Sequence, residues 1–129
     1  MSHHREPITA EGLPAAGPYS HAMRAGNLVF VSGQVHMDPE SGQLTGDSAG
    51  DRARRCLDNL ARVAQAAGAG LEDAVRITIY VTDMGEFAAI NEAYGAYWES
   101  DPPARVTVGV AALPLGASVE MDAVIALAG

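Results

Sequence analysis

A chain of 129 residues that is 48% hydrophobic and 19% charged can bury one core, and nothing in it reads as disordered. Its formal net charge of −8 argues against phosphate binding, which needs clustered Lys and Arg, so no nucleic acid is expected as a partner, although half of the eight basic residues fall between Arg52 and Arg62. The single cysteine, Cys56, excludes an intrachain disulfide. With no apolar leader in MSHHREPITA and no apolar run approaching ~18 residues, a cytoplasmic protein without a membrane partner is expected.

Residues 1–16, and the GPYS that follows, are rich in Pro and Gly and predict irregular chain. A short strand is expected from His21 to Arg24, turning at Ala25-Gly26-Asn27 into Leu28–Gln34, which is β-branched and apolar on both faces. MDPESGQLTGD reads as a loop. Helix 1 is expected from Asp47 or Ser48 to Gly68. Ala53, Cys56, Leu57, Leu60, Ala64 and Ala67 lie on its buried side, and Arg52, Arg55, Asp58, Asn59 and Arg62 mostly on the solvated side. In the next strand Val75, Ile77, Ile79 and Val81 share a face. Asp83 is placed as the cap of helix 2, with Glu86 completing a capping box and Phe87, Ile90, Tyr94 and Trp98 as its apolar stripe. Asp101-Pro102-Pro103 ends that helix, because proline cannot continue it. Strands Arg105–Ala111 and Ser118–Leu127 follow, and the short link Leu113–Gly116 predicts a hairpin. The order β-β-α-β-α-β-β describes a single α/β (α+β) domain over residues 1–129. It has one mixed sheet and both helices on one face. The other face keeps apolar residues such as Leu28 and Phe30, which predicts a homo-oligomer.

The chemistry-bearing residues gather at the end of the chain. In the hairpin register Arg105, Thr107 and Gly109 share a face with Glu120 and Asp122, and Gly109 leaves space above the sheet. A guanidinium can grip a carboxylate through two hydrogen bonds, and a carboxylate facing it can handle a proton. The alternative is a structural Arg–Glu ion pair at a subunit interface. Asn91 interrupts the apolar stripe of helix 2, either bonded to a loop backbone or lining a site. Tyr19, Ser20, Ser32, Gly33 and Gln34 are polar groups at strand edges, where both turns and ligands are found. The histidines have no Cys or carboxylate at ligand spacing, so no metal site is expected. Cys56 and the helix-1 arginines read as core and solvated face.

Taken together, GPYSHA, LVFVSGQVHMDPESGQL, CLDNLARVAQAAGAGLEDAVRITIYVTDM, FAAINEAYGAYW and PPARVTVGVAALPLGASVEMDAV resemble the RidA (YjgF/UK114-like) family of reactive-intermediate imine deaminases, from about Gly17 to Ala126. The resemblance implies a chorismate-mutase-like fold in a homotrimer with active sites between subunits. It implies hydrolysis of 2-imino acids and their enamines, such as 2-aminoacrylate, to 2-keto acids and ammonia without a cofactor. The family's carboxylate-binding arginine matches Arg105 and its water-activating glutamate matches Glu120. Tyr19, Ser32, Gly33 and Asn91 match the family's other site positions. Thr107 stands where many members have cysteine, and His21, Val106 and Leu115 also depart from common residues, which bears on substrate preference. A non-enzymatic trimeric ligand-binding protein of the same fold is the alternative.

Overall fold

The computed structural model describes residues 4–15 and 17–128. Among the described residues there are six strands and two α-helices: β1 (Glu6–Ile8), β2 (Ala22–Ala25), β3 (Leu28–Val35), α1 (Ala49–Ala66), β4 (Ala74–Val81), α2 (Phe87–Gly95), β5 (Ala104–Gly109) and β6 (Val119–Ala126). The strands form one sheet in the order β1-β2-β3-β6-β4-β5. Only β4 and β5 run parallel; the other neighbours are antiparallel. The mixed sheet with two helices is the α+β arrangement that the element order predicts. β1 is an addition, because Glu6–Ile8 pairs with β2 where irregular chain was expected.

The alternation in β4 and β6 sets the layers. Ile77, Ile79 and Val81 point into the core together with Val119, Met121, Ala123 and Ile125. α1 covers them with Leu57, Leu60 and Val63, and α2 adds Ile90, Ala93 and Tyr94. Each such aliphatic side chain stabilises the fold by about 1.5–3 kcal/mol on leaving water. α1 starts where expected: the Ser48 hydroxyl accepts from the Asp51 N–H at 3.1 Å. It ends at Ala66, short of Gly68, whose φ of +86° suits glycine. Among the described residues no helix covers the opposite sheet face. Phe30 is 48% exposed there, and Leu28, Val106 and Val108 are exposed on the same face.

Five expectations need correction. Val75, expected to share the face of Ile77, Ile79 and Val81, is 46% exposed at an irregularity between Ala74 and Arg76. α2 ends at Gly95, before Trp98 and the Asp101-Pro102-Pro103 stop. β5 and β6 do not form a hairpin: β6 lies between β3 and β4, and β5 lies on the far side of β4. The crossover through α2 sets β5 parallel beside β4, so the remaining edge of β4 is open to β6. The connection between the two strands is the whole of 110–118, long enough to pass β4, rather than the few residues around Pro114. Asp83 caps a single 3-10 turn, Met84–Glu86, by accepting from the Gly85 N–H at 2.9 Å, and the Glu86 carboxylate turns to Arg52 instead of closing a capping box. Asn59, placed on the solvated side of α1, is 1% exposed; its Nδ2 donates to the carbonyls of Val35 at 3.2 Å and Met37 at 2.9 Å.

Candidate functional site

Two partial sites emerge from this topology. The first surrounds Glu120. Opposite it, β3 carries a bulge between Val31 and Gln34. At the bulge a Cβ on Gly33 would lie 2.6 Å from Glu120 Oε2, so the carboxylate rests directly over backbone that only glycine leaves bare. Burial, and then the charge of Asp122, push the Glu120 carboxyl above the usual carboxylate range. Beside the bulge, the Ser32 hydroxyl donates to the Ser20 carbonyl at 2.6 Å and the Ser32 N–H to the His21 carbonyl at 2.9 Å. His21 Nδ1 in turn accepts from the Ala10 N–H at 2.9 Å. These bonds hold the segment bearing Tyr19 along the end of β3. Tyr19 and Gly33 line one small cavity of ≈ 20 Å³ with Leu13, Pro14 and Asn59.

The second partial site surrounds Arg105. It is a groove of ≈ 380 Å³ between α2 and β5, lined by Asn91, Tyr94, Trp98, Pro102, Pro103 and Arg105 among others. The guanidinium carbon lies 5.0 Å from the Tyr94 ring centroid and 5.6 Å from that of Phe87. Aromatic faces at this range attract the cation and leave its in-plane N–H groups available. Among the described residues no carboxylate lies within ion-pair distance of Arg105. Asn91 Oδ1, Tyr94 Oη, Trp98 Nε1 and Thr107 Oγ1 are all buried without a hydrogen-bond partner. Each such orphan costs about 1–3 kcal/mol, so four in one region mark a place suited to a polar guest. Asn91 therefore does not make the loop-backbone bond that was one reading of it.

The two partial sites do not meet within one chain. Arg105 is in register with Ile77, whose partner on the other side is Ala123, so Arg105 and Thr107 project to the helix-covered face. Glu120 is in register with Tyr80 and projects to the open face. The expected Arg105–Glu120 juxtaposition on one face fails because it depended on the hairpin. Arg105 with Asn91 and Thr107 makes one group and Glu120 with Gly33 the other; Tyr19 shares a cavity with Gly33 that Glu120 does not line, and Ser32 spends its hydroxyl on the backbone.

The model of the family described as Endoribonuclease L-PSP matches residues 9–127. The chain belongs to this family, known also as RidA. A RutC family protein of Sinorhizobium fredii is 46% identical over 123 residues, covering 95% of this chain and 98% of that relative. The 2-iminobutanoate/2-iminopropanoate deaminase of Mus musculus is 40% identical over 121 residues, covering 93% and 90%. A crystal structure of E. coli TdcF with bound serine superposes with a TM-score of 0.89 at 33% identity, over 95% of this chain and 99% of that one. The sheet and helices described above are thus those of RidA relatives.

Several residues at these positions were not singled out from the sequence as site-lining. Tyr94, Trp98 and the Pro102-Pro103 pair read there only as a core stripe and a helix stop. The signal available was Asn91, an amide on the same stripe. Asn59 was also legible in principle, since Cys56 and Val63 flank it at i−3 and i+4 on the apolar face of α1. His36 gave no signal: it is buried, its Nδ1–H donates to the Thr45 carbonyl at 3.0 Å, and its Nε2 accepts from the Ser118 N–H at 3.1 Å.

Proposed function

We propose that this RidA-family protein hydrolyses 2-imino acids and their enamine tautomers, such as 2-iminobutanoate, to 2-keto acids and ammonia. The observation that carries the reading is an arginine with no carboxylate partner among the described residues, lying against two aromatic rings in a groove of orphaned polar groups. A buried-edge guanidinium in that state suits a ligand carboxylate. Arg105 binds the substrate carboxylate and thereby orients the C=N carbon, with Asn91 and Thr107 offering further polar contacts. Glu120 holds a water over Gly33, takes its proton as the oxygen attacks carbon, and returns a proton to nitrogen so that ammonia departs. Tyr19 supplies a hydroxyl beside Gly33 for protonating the imine nitrogen.

Since Arg105 and Glu120 project from opposite faces of one sheet, the reading places each site between two copies of the chain, in a homotrimer whose inner surface is the open apolar face. Phe30, Leu28, Val106 and Val108 would then leave water. Among the described residues no helix is long and apolar enough to cross a membrane, and the lone thiol, Cys56, suits the reducing cytoplasm. The net charge of −8 argues against RNA as the substrate.

The test generates 2-iminobutanoate with a threonine dehydratase and follows ketoacid formation with and without the protein. Acceleration is expected. Glu120→Ala should remove it by about 100-fold or more, and Arg105→Ala should cost about 10- to 100-fold in kcat/KM. No acceleration across several 2-imino acids would sink the proposal, and ligand binding without turnover would favour a sensor instead.

A further inference from the structure

Tyr80 and Asp122 stand on the same open face as Glu120, and the chemistry above gives them no task. Tyr80 is in direct register with Glu120, and Thr78 with Asp122. The Tyr80 hydroxyl nevertheless reaches diagonally and donates to Asp122 Oδ2 at 2.7 Å. Asp122 is two residues from Glu120 on the same side of β6, ~6.6 Å along the strand. One carboxylate is thereby fixed in orientation next to another. Within one chain the remaining groups around Glu120 do not neutralise it, and the Arg105 that the proposed site brings from another copy is spent on the substrate carboxylate. From β3 it meets the backbone of Gly33 and the uncharged Val35. The Cys56 thiol approaches from the opposite side of β6 and donates to the Val119 carbonyl at 3.6 Å. Arg76 shares the open face but is in register with Val124, further along β6 than Asp122. Among the described residues neither Glu120 nor Asp122 belongs to an ion pair.

A free aspartate on a strand would rotate away from a neighbouring carboxylate. The tyrosine bond prevents this, at the cost of keeping two like charges close. We propose that Asp122, anchored by the Tyr80 hydroxyl, is a positioning residue that governs when Glu120 holds its proton. The proposal rests on reading Glu120 as the water-activating group. Imine hydrolysis asks one carboxyl to accept a proton from water and then give a proton to nitrogen. A fixed neighbouring charge makes Glu120 a stronger base when ionised, and the burial against Gly33 acts in the same direction. The bond to Asp122 also raises the Tyr80 hydroxyl above its ordinary value, so Tyr80 remains a donor rather than adding a further charge.

Titration of the side-chain carboxyl of Glu120, followed by carbon-13 NMR on the whole protein, tests this without reference to activity. Asp122→Asn is expected to lower the Glu120 midpoint by about half a pH unit or more, and Asp122→Glu to restore it toward wild type. Tyr80→Phe, which frees Asp122 to turn away, should lower it by less. The acid limb of kcat/KM for 2-iminobutanoate should move in the same order. An unchanged Glu120 midpoint in Asp122→Asn overturns the proposal. If that variant does not fold, an unchanged midpoint in Tyr80→Phe does so. If the midpoint moves as expected while even the wild type fails to hydrolyse imines, the coupling stands and it is the deaminase reading that falls.

Discussion

Glu120 sits half out of water against Gly33, and that position sets a conflict between proton transfer and stability. Its folded pKa is raised, by burial first and Asp122 second, above the ordinary value of 4.5. A raised carboxyl favours folding while it is protonated, and that contribution is lost as pH rises through the folded value. At neutral pH the ionised side chain is therefore a burden on the fold. Glu120→Gln, which keeps the shape and removes the charge, should melt at a higher temperature than wild type near pH 7 while losing activity. The gain should shrink toward zero as pH falls below the ordinary carboxyl value. Thermal melts across pH check this, and a variant less stable than wild type at neutral pH would contradict the account. Cys56 shows the other side of burial: its thiol, donating to a core carbonyl and pushed far up by desolvation, is core as its place on α1 indicated.

The elements are tied together at one corner by groups that sequence periodicity does not expose. His36 follows β3, and its two ring nitrogens bridge Thr45, in the loop before α1, and Ser118, just before β6. Arg52 of α1 binds the Gly46 carbonyl, Glu86 and Ser118 beside it. Burial lowers the His36 pKa below 6.5, and Arg52 acts in the same direction, while the Thr45 bond opposes it. Protonation would put a second N–H against the Ser118 N–H. Because the folded value is depressed, this contribution to stability is present above the unfolded pKa and lost as pH falls through the folded one. Urea melts from about pH 8 to about pH 5 should show a loss of stability on acidification that His36→Gln flattens. Glu120 contributes a slope of opposite sign, so the two variants separate the terms. What could be read from the sequence here was the local part. Alternation in VRITIYV, the Ser48 cap and the apolar stripe of α1 are carried by neighbours in the chain. Arg52 and His36 looked like solvated face and loop, because their partners lie 34 and 82 residues away.

At the scale of the whole molecule, strand order decides where the chemistry is. Five of the six strands and both helices followed from periodicity and breakers, but β1 was missed, and β5 and β6 were taken as a hairpin because adjacency in sequence is the usual guide to adjacency in a sheet. Placing β6 on the other edge of β4 leaves Arg105 on the helix side and Glu120 on the open side. The residue types were legible; their separation was not, since it depends on which edge of β4 each strand takes. That separation makes a sharp prediction. If every working site takes its arginine from one copy and its glutamate from another, Arg105→Ala and Glu120→Ala are each strongly impaired alone, yet complement on mixing. A site works only where a chain retaining Arg105 meets one retaining Glu120 in the correct sense. For equal amounts randomly reassociated, that holds for about a quarter of sites, whether the closed assembly is a dimer or a trimer. Unfolding and refolding the two variants together should thus restore about a quarter of wild-type turnover, and refolding them apart before mixing should restore little until subunits exchange. A double variant carrying both changes, co-refolded with wild type in equal amounts, gives the control: it also retains about a quarter of sites, all of them between two wild-type chains. No recovery in the mixed single variants, with about half of the sites surviving in the control instead of a quarter, would mean that Arg105 and Glu120 serve the same site from within one chain.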